Sequence, residues 1–257
     1  MNKKEISAQL YTTRNFQPYG PIFKFIKETG ITNIELFGLE SLNIEEVKQM
    51  MDFNNISSHS THVGFEALIR WNSPEKGVLA PYKFIPIAEE TNLIIPLGQW
   101  IIEETCKQNK KWHDMGYKLT CAVNISAKQF VKSNLVNIIK TVLKETKLSP
   151  QYLELELTET ILMQNINKTL TILNELKKMG IKISIDDFGT GYSSLSYLKK
   201  FPIDTLKIDQ SFISTIKKNK NDQSGTIANI VIDLGHKLGM NVIAEGVETK
   251  EQVDFLK

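Results

Sequence analysis

The sequence predicts an α/β fold, a single (β/α)8 barrel of eight parallel strands with helical crossovers. Three observations carry this. Short apolar runs alternate with amphipathic stretches along the whole chain, the pattern of a parallel sheet covered by helices. Eight such runs occur, the number that closes a parallel sheet on itself. The chain has 257 residues, 41% of them apolar, which suits one barrel with one sizeable core.

Ile6 to Tyr11 reads as the first strand. Pro21 to Thr29 is a short amphipathic helix closed by Gly30, a natural C-terminal cap. Asn33 to Phe37 is the second strand, and Ile44 to Phe53 a second helix with Asn43 as its N-cap. Ile56 to Trp71 holds the third strand region. Pro81 then opens a helix at its first turn, where proline is tolerated, and another helix runs from about Leu97 to Met115. Strand four is Leu119 to Ile125, followed by a helix over Leu135 to Thr146. Strand five is Leu153 to Leu157, and its helix, Asn167 to Met179, stops at Gly180. Strand six is Ile181 to Ile185, with a short helix after Ser193. Strand seven is Thr205 to Ile208, and the helix Thr226 to Leu238 stops at Gly239. Strand eight is Asn241 to Ala244, and a last helix begins near Lys250. An open doubly wound sheet is the rival arrangement. No glycine-rich dinucleotide turn follows the first strand, so a TIM-type barrel is preferred.

Composition excludes several classes. Net charge is +2 and 23% of residues are charged, so no concentrated basic face points to DNA or RNA. The run Lys217-Lys218-Asn219-Lys220 sits among polar residues and reads as a solvated loop. Cys106 and Cys121 each lie beside apolar residues, without zinc or disulfide spacing, and fit buried thiols of a reducing cytoplasm. No signal peptide is read at the N-terminus, and the most apolar stretch, Leu93 to Ile102, is too short for a membrane span.

The chemistry gathers at strand ends. Glu66, Asn124, Glu156, Asp186, Asp187, Asp209, Glu245 and Glu248 all fall at or just after predicted strand C-termini. In a parallel barrel those ends share one rim, where active sites form. Carboxylates crowded on one rim repel unless cations neutralise them, and hard oxygen donors suit Mg²⁺ or Mn²⁺ better than zinc. Adjacent Asp186 and Asp187 could flank a metal pair of the kind used on phosphodiesters, and Lys207 could orient water or steady phosphate charge. Singly, each has a plainer reading: Glu66 a solvated strand end, Asn124 a turn former, Glu156 a surface strand residue, Lys207 an ion-pair partner. Gly189-Thr190-Gly191 lacks the ending of a nucleotide P-loop and reads as a mobile or plain turn.

Several segments resemble the E-A-L family of cyclic-di-GMP phosphodiesterases. They are Glu66 to Trp71, Phe84 to Ile94, Val123 to Ser126 with Gln129-Phe130, Glu154 to Glu159, Asp186 to Leu195, Leu206 to Asp209 and Ala244 to Thr249. The resemblance runs from about Gly64 to the end. It implies hydrolysis of cyclic-di-GMP to pGpG with Mg²⁺ or Mn²⁺. It implies that Glu66, Asn124, Glu156 and Asp186 hold one metal, and that Asp186 bridges to a second completed by Asp187 and one of Glu245 and Glu248. Lys207 would contact the nucleophilic water. Glu245 would activate it, with metal binding equally open. Arg70 would grip a substrate phosphate, Asp209 would also face substrate, and Glu159 would anchor the loop from Asp186 to Ser193. A homodimer is compatible with this family, and a membrane partner is not expected.

Two departures stand out. The family's opening strand with a Gln-Pro-Ile motif is missing, Gln17-Pro18 lying in another context, and the chain stops at Lys257 before a strand bearing Gln-Gly-Tyr. Instead, Ile6 to about Gly64 resembles the start of a sugar-phosphate isomerase/epimerase barrel, on Gln9 to Phe16, Gly30 to Gly38 and Ser60-Thr61-His62. His62 is read as a remnant without a role. The expected organisation is one barrel over 1–257, recombined from an isomerase-like βαβα part, 1–64, and a phosphodiesterase-like part, 65–257. The rivals to a hydrolase are a cyclic-di-GMP-binding module that does not cut and a chimeric scaffold without activity.

Overall fold

The computed structural model of the chain describes residues 6–9, 34–37, 64–189, 195–216 and 225–256. In chain order the strands are β1 (Ile6–Gln9), β2 (Ile34–Phe37), β3 (Gly64–Ala67), β4 (Trp71–Ser73), β5 (Gly77–Leu79), β6 (Thr120–Ile125), β7 (Leu153–Thr158), β8 (Lys182–Phe188), β9 (Thr205–Ile208) and β10 (Asn241–Glu245). Eight of them close a barrel in the order β1-β10-β9-β8-β7-β6-β3-β2, and each barrel pair is parallel. All eight expected strands are therefore present, as one closed (β/α)8-type sheet. The expected helices over 21–29 and 44–53 lie outside the described residues.

Alternation along each strand divides the barrel into two faces. Leu153, Leu155, Leu157, Ile183, Ile185, Leu206, Ile208, Val242 and Ala244 form one face. They are buried in a single cluster with helix residues such as Ile139, Leu173, Leu176, Val231 and Ile232. The opposite face is unusually polar for a barrel, whose interior is commonly filled by branched apolar side chains. It carries Glu154 and Glu156 on β7, Ser184 and Asp186 on β8, Thr205 and Lys207 on β9, and Glu245 on β10. Register links these directly, with Asn124 opposite Glu156, Glu156 opposite Ser184, and Ser184 opposite Thr205. On β1, Gln9 stands in register with Glu245, so the N-terminal strands meet the sheet at the level of the acidic end.

Local sequence explains the crossovers. Ser126 caps Ala127–Lys132 by accepting from the Gln129 amide at 3.1 Å, and Asn165 caps Ile166–Lys178 through the Lys168 amide at 3.2 Å. Helix Leu135–Thr146 ends on Lys147 and Thr226–Leu238 on Gly239, both in the left-handed region. The helix expected from Leu97 begins at Ile94 instead. Pro96 falls within its first turn, where an amide hydrogen has no intrahelical partner to lose. Gly98 lies flush against the Gln129 side chain, and a Cβ there would sit 2.3 Å from Gln129 Oε1. The third strand ends earlier than expected, and residues 56–63 of the expected region lie outside the described residues. β3 ends at Ala67, and Trp71 belongs to an antiparallel hairpin, β4 with β5, returned through Gly77 at φ 68°. Cys106 and Cys121 are free and buried, as expected, and burial pushes the Cys106 thiol up to about 12. Among the described residues, no helix is long and apolar enough to cross a membrane.

Candidate active site

Residues from six neighbouring strands converge at the C-terminal end of the barrel. Lys207, on β9, is the centre. Its side chain is 2% exposed, and Nζ lies 2.8 Å from Glu156 Oε1, 2.9 Å from Glu245 Oε1 and 3.2 Å from Asp186 Oδ1. Burial alone would lower its pKa. The charges of Glu156, Glu245, Asp186 and Glu66 outweigh that and hold the ammonium well above its ordinary value. A buried cation facing several carboxylates is retained because removing either sign would strand the other in low dielectric.

On the β3–β6 side, Asn124 Nδ2 donates to Glu66 Oε1 at 2.5 Å. Glu66 is buried and Asn124 is exposed at the mouth. Glu156, read alone as a surface strand residue, is 3% exposed. Burial under a closed barrel, which strand alternation cannot reveal, is the reason for that difference.

Asp186 and Asp187 are adjacent, and regular alternation would send them to opposite faces. The ladder between β8 and β9 shifts register between Ile185 and Phe188, and Asp187 takes φ 52°. A bulge of this kind re-aims side chains, and aspartate tolerates the left-handed region better than most residues. As a result Asp186, Asp187 and Glu245 each bring a carboxylate oxygen within 4.8 Å of the others. Burial, then the charges of Asp186 and Asp209, raise Asp187 to about 6. Burial, opposed by Lys207 and reinforced by Asp186, raises Glu245 to about 8.

The donor set fits a hard divalent cation. It consists of carboxylate and amide oxygens, and its crowding leaves excess negative charge that only protons or cations can relieve. A pH dependence follows for the metal-free protein. Glu245 is raised from 4.5 to about 8, so the folded state holds a proton that the unfolded chain has already released. That stabilisation is complete below about 4.5 and is lost as pH rises towards 8. Chelator-treated protein should accordingly lose stability in urea between pH 5 and 8, and saturating Mn²⁺ should flatten the slope. An identical slope with and without Mn²⁺ would count against cation binding here.

The remaining expected residues are placed as follows. Arg70 follows β3, half-buried, with Nη1 donating to the Ile69 carbonyl at 2.8 Å. Asp209 caps the helix Gln210–Ser214 by accepting from the Ser211 amide at 2.9 Å, and it also hydrogen-bonds Asp187. Glu159 is buried, and its Oε2 accepts from the Gly189 amide at 3.4 Å, at the start of the loop it was expected to hold. Glu248 lies on the exposed turn after β10, outside the close group that includes Glu245.

Sequence reasoning missed two residues. Glu154 lies one layer beneath Glu156, fully buried, and desolvation raises its pKa against the pull of Lys182 and a hydrogen bond from Ser184. Gln252 is buried beneath the turn after β10. The spacing Thr249-x-x-Gln252, a capping-box pattern, could have marked it.

Comparison with known proteins agrees with this fold. The EAL domain family matches residues 46–257. Signaling protein YkoW of Bacillus subtilis is 51% identical over 193 residues, covering 75% of this chain and 24% of YkoW. The cyclic di-GMP phosphodiesterase PdeR of Escherichia coli is 42% identical over 191 residues, covering 74% of this chain and 29% of PdeR. The chain thus spans 24% and 29% of the length of these two curated relatives. The solved structure of the PaMucR phosphodiesterase in complex with c-di-GMP superposes with a TM-score of 0.72 at 43% identity, covering 76% of this chain and 79% of that one. On the family match and these identities, the chain belongs to the EAL domain family.

Proposed function

We propose that the chain hydrolyses one phosphodiester bond of cyclic-di-GMP to give linear pGpG, with Mg²⁺ or Mn²⁺ as its cation. The observation that carries this is the buried Lys207 held against Glu156, Asp186 and Glu245, beside the Asp186–Asp187–Glu245 group. PdeR is a phosphodiesterase by name, and the PaMucR structure holds c-di-GMP.

In this reading Glu66, Asn124, Glu156 and Asp186 hold one cation, and Asp186, Asp187 and Glu245 or Glu248 a second. When bound, the cations lower the pKa of water and neutralise phosphoryl charge. The attacking water forms a new P–O bond as the P–O3′ bond breaks, and the leaving 3′ oxygen takes up a proton from bulk water. Lys207 stays protonated and orients the water. Glu245, 2.9 Å from Lys207 Nζ and grouped with Asp186 and Asp187, accepts the water's proton at a carboxylate oxygen. Arg70 grips a substrate phosphate, Asp209 faces the substrate, and Glu159 anchors the loop from Asp186 to Ser193. The decisive assay is conversion of cyclic-di-GMP to pGpG by the purified chain with Mn²⁺. Tight nucleotide binding with no product would instead leave a binding module, and neither binding nor product a scaffold. Solution mass decides whether the active form is a homodimer.

We also infer that residues 1–64 are an isomerase-like segment recombined with an EAL segment into one barrel over 1–257. Two things support it. The curated alignments cover about three quarters of the chain, 75% and 74%, and β1 and β2 close the sheet between β10 and β3. The EAL match starts at residue 46, ahead of the boundary proposed here near residue 64. Deleting residues 1–33 removes β1 and should abolish a cooperative thermal transition. An unchanged transition would mean that these residues are not part of the barrel.

A further inference from the structure

Beyond the carboxylates themselves, the acidic mouth depends on how the two segments leaving β9 and β10 are held. The turn after β10 runs from Gly246, at φ 67°, to Thr249, where the helix Lys250–Leu256 begins. Gln252 is the third residue of that helix. Its backbone amide donates to Thr249 Oγ1 at 3.3 Å, and its side-chain Oε1 accepts from the Thr249 amide at 2.9 Å. These two bonds are a reciprocal capping box.

Two further contacts go beyond capping. Gln252 Oε1 also accepts from the Glu248 amide at 2.7 Å, and Gln252 Nε2 donates to the Ile213 carbonyl at 3.1 Å. Ile213 belongs to Gln210–Ser214, the helix that Asp209 caps directly after β9. Gly246 presses against the same helix, for a Cβ there would lie 2.7 Å from Gln210 Cβ. A side chain only 6% exposed thus joins the segment bearing Glu245 and Glu248 to the segment following Lys207.

We propose that Gln252 is a positioning residue, locking the Gly246–Thr249 turn to the 210–214 helix so that Glu245, just before that turn, stays in place against Asp186, Asp187 and Lys207. This rests on the hydrolase reading above. Gln252 touches no reacting atom. It acts through backbone amides, as residues behind metal ligands commonly do, and loss of such a partner weakens metal affinity by about 10–100-fold.

The test compares Gln252→Ala with Thr249→Ala by Mn²⁺ titration calorimetry and by hydrogen exchange of the peptide spanning 246–252. Both variants lose one bond of the capping box, so thermal stability falls in both, and by more in Gln252→Ala. Only Gln252→Ala releases the Glu248 amide and the Ile213 carbonyl. It should exchange faster over 246–252 and bind Mn²⁺ about 10–100-fold more weakly, while Thr249→Ala stays within about twofold of the parent. Unchanged Mn²⁺ affinity in Gln252→Ala, or an equal loss in Thr249→Ala, overturns the proposal and leaves Gln252 a helix cap. Should Gln252→Ala not fold, Gln252→Glu carries the test. It keeps the acceptor but loses donation to Ile213, so severalfold weaker binding is expected, and parental affinity overturns the proposal. A parent chain that binds no Mn²⁺ at all overturns the hydrolase reading and this inference together. That result is separate from parental binding left intact by Gln252→Ala.

Discussion

Replacing Asp186 by Asn is expected to reduce Mn²⁺-dependent turnover of cyclic-di-GMP by about a thousandfold. Asp186 and Glu245 are the two carboxylates shared between the Lys207 cluster and the Asp186–Asp187–Glu245 group, and Asp186 is the one that the proposed function gives to both cations. A neutral amide there removes a ligand that the proposed function uses for both cations. Cation charge contributes several kcal/mol to transition-state stabilisation, and about 4 kcal/mol corresponds to three decades of rate. The fold should survive, because Asn keeps the size of Asp and the substitution reduces like-charge crowding beside Glu245 and Asp187. Initial rates of pGpG formation, normalised to protein whose thermal transition matches the parent, decide the matter. A loss of less than about tenfold would show that Asp186 is peripheral to the chemistry.

Replacing Lys207 by Ala should destabilise the metal-free protein by about 3–5 kcal/mol, since breaking a buried ion pair from one side leaves its partner charges uncompensated. Three carboxylates lie within 3.2 Å of Nζ, so the cost falls on Glu156, Asp186 and Glu245 together. For a chain of this length the midpoint should drop on the order of 10 °C. The loss has a sign with pH. Without the ammonium, these carboxyls hold protons to higher pH, so the penalty is greatest above pH 8 and shrinks as they protonate at lower pH. Saturating Mn²⁺ should restore part of the stability by supplying positive charge to the same oxygens and by binding the folded state alone. Thermal scans at pH 5 and pH 8.5 test this, and a variant as stable as the parent at both would remove Lys207 from its central place.

Much of the architecture was legible in the sequence because it depends on local properties. Segments such as Leu153 to Leu157 and Thr205 to Ile208 alternate apolar and polar residues with the period of a strand, and Gly239 ends its helix through its own backbone freedom. The hairpin after Ala67 was hidden because Leu68, Ile69 and Trp71 continue the apolar pattern, and only the pairing of Trp71–Ser73 with Gly77–Leu79 separates it from β3. Pro96 misplaced a helix start by three residues, since proline at the first turn and proline before a helix look alike in sequence.

For the site, the sequence by itself determined the residue types and their places: oxygen donors and one lysine at successive strand ends, from Glu66 to Glu248. Those places follow from strand periodicity, which is a property of neighbouring residues. Only the tertiary structure decided which of them share a space. The bulge at Asp186–Asp187, the burial of Glu156 and Lys207, the inclusion of Glu245 but not Glu248 in the close group, and the reach of Gln252 to Ile213 all depend on strands and loops distant in sequence. Closing the barrel brings these charges together in low dielectric, and the energies that follow from their separation and desolvation have no counterpart in the linear chain.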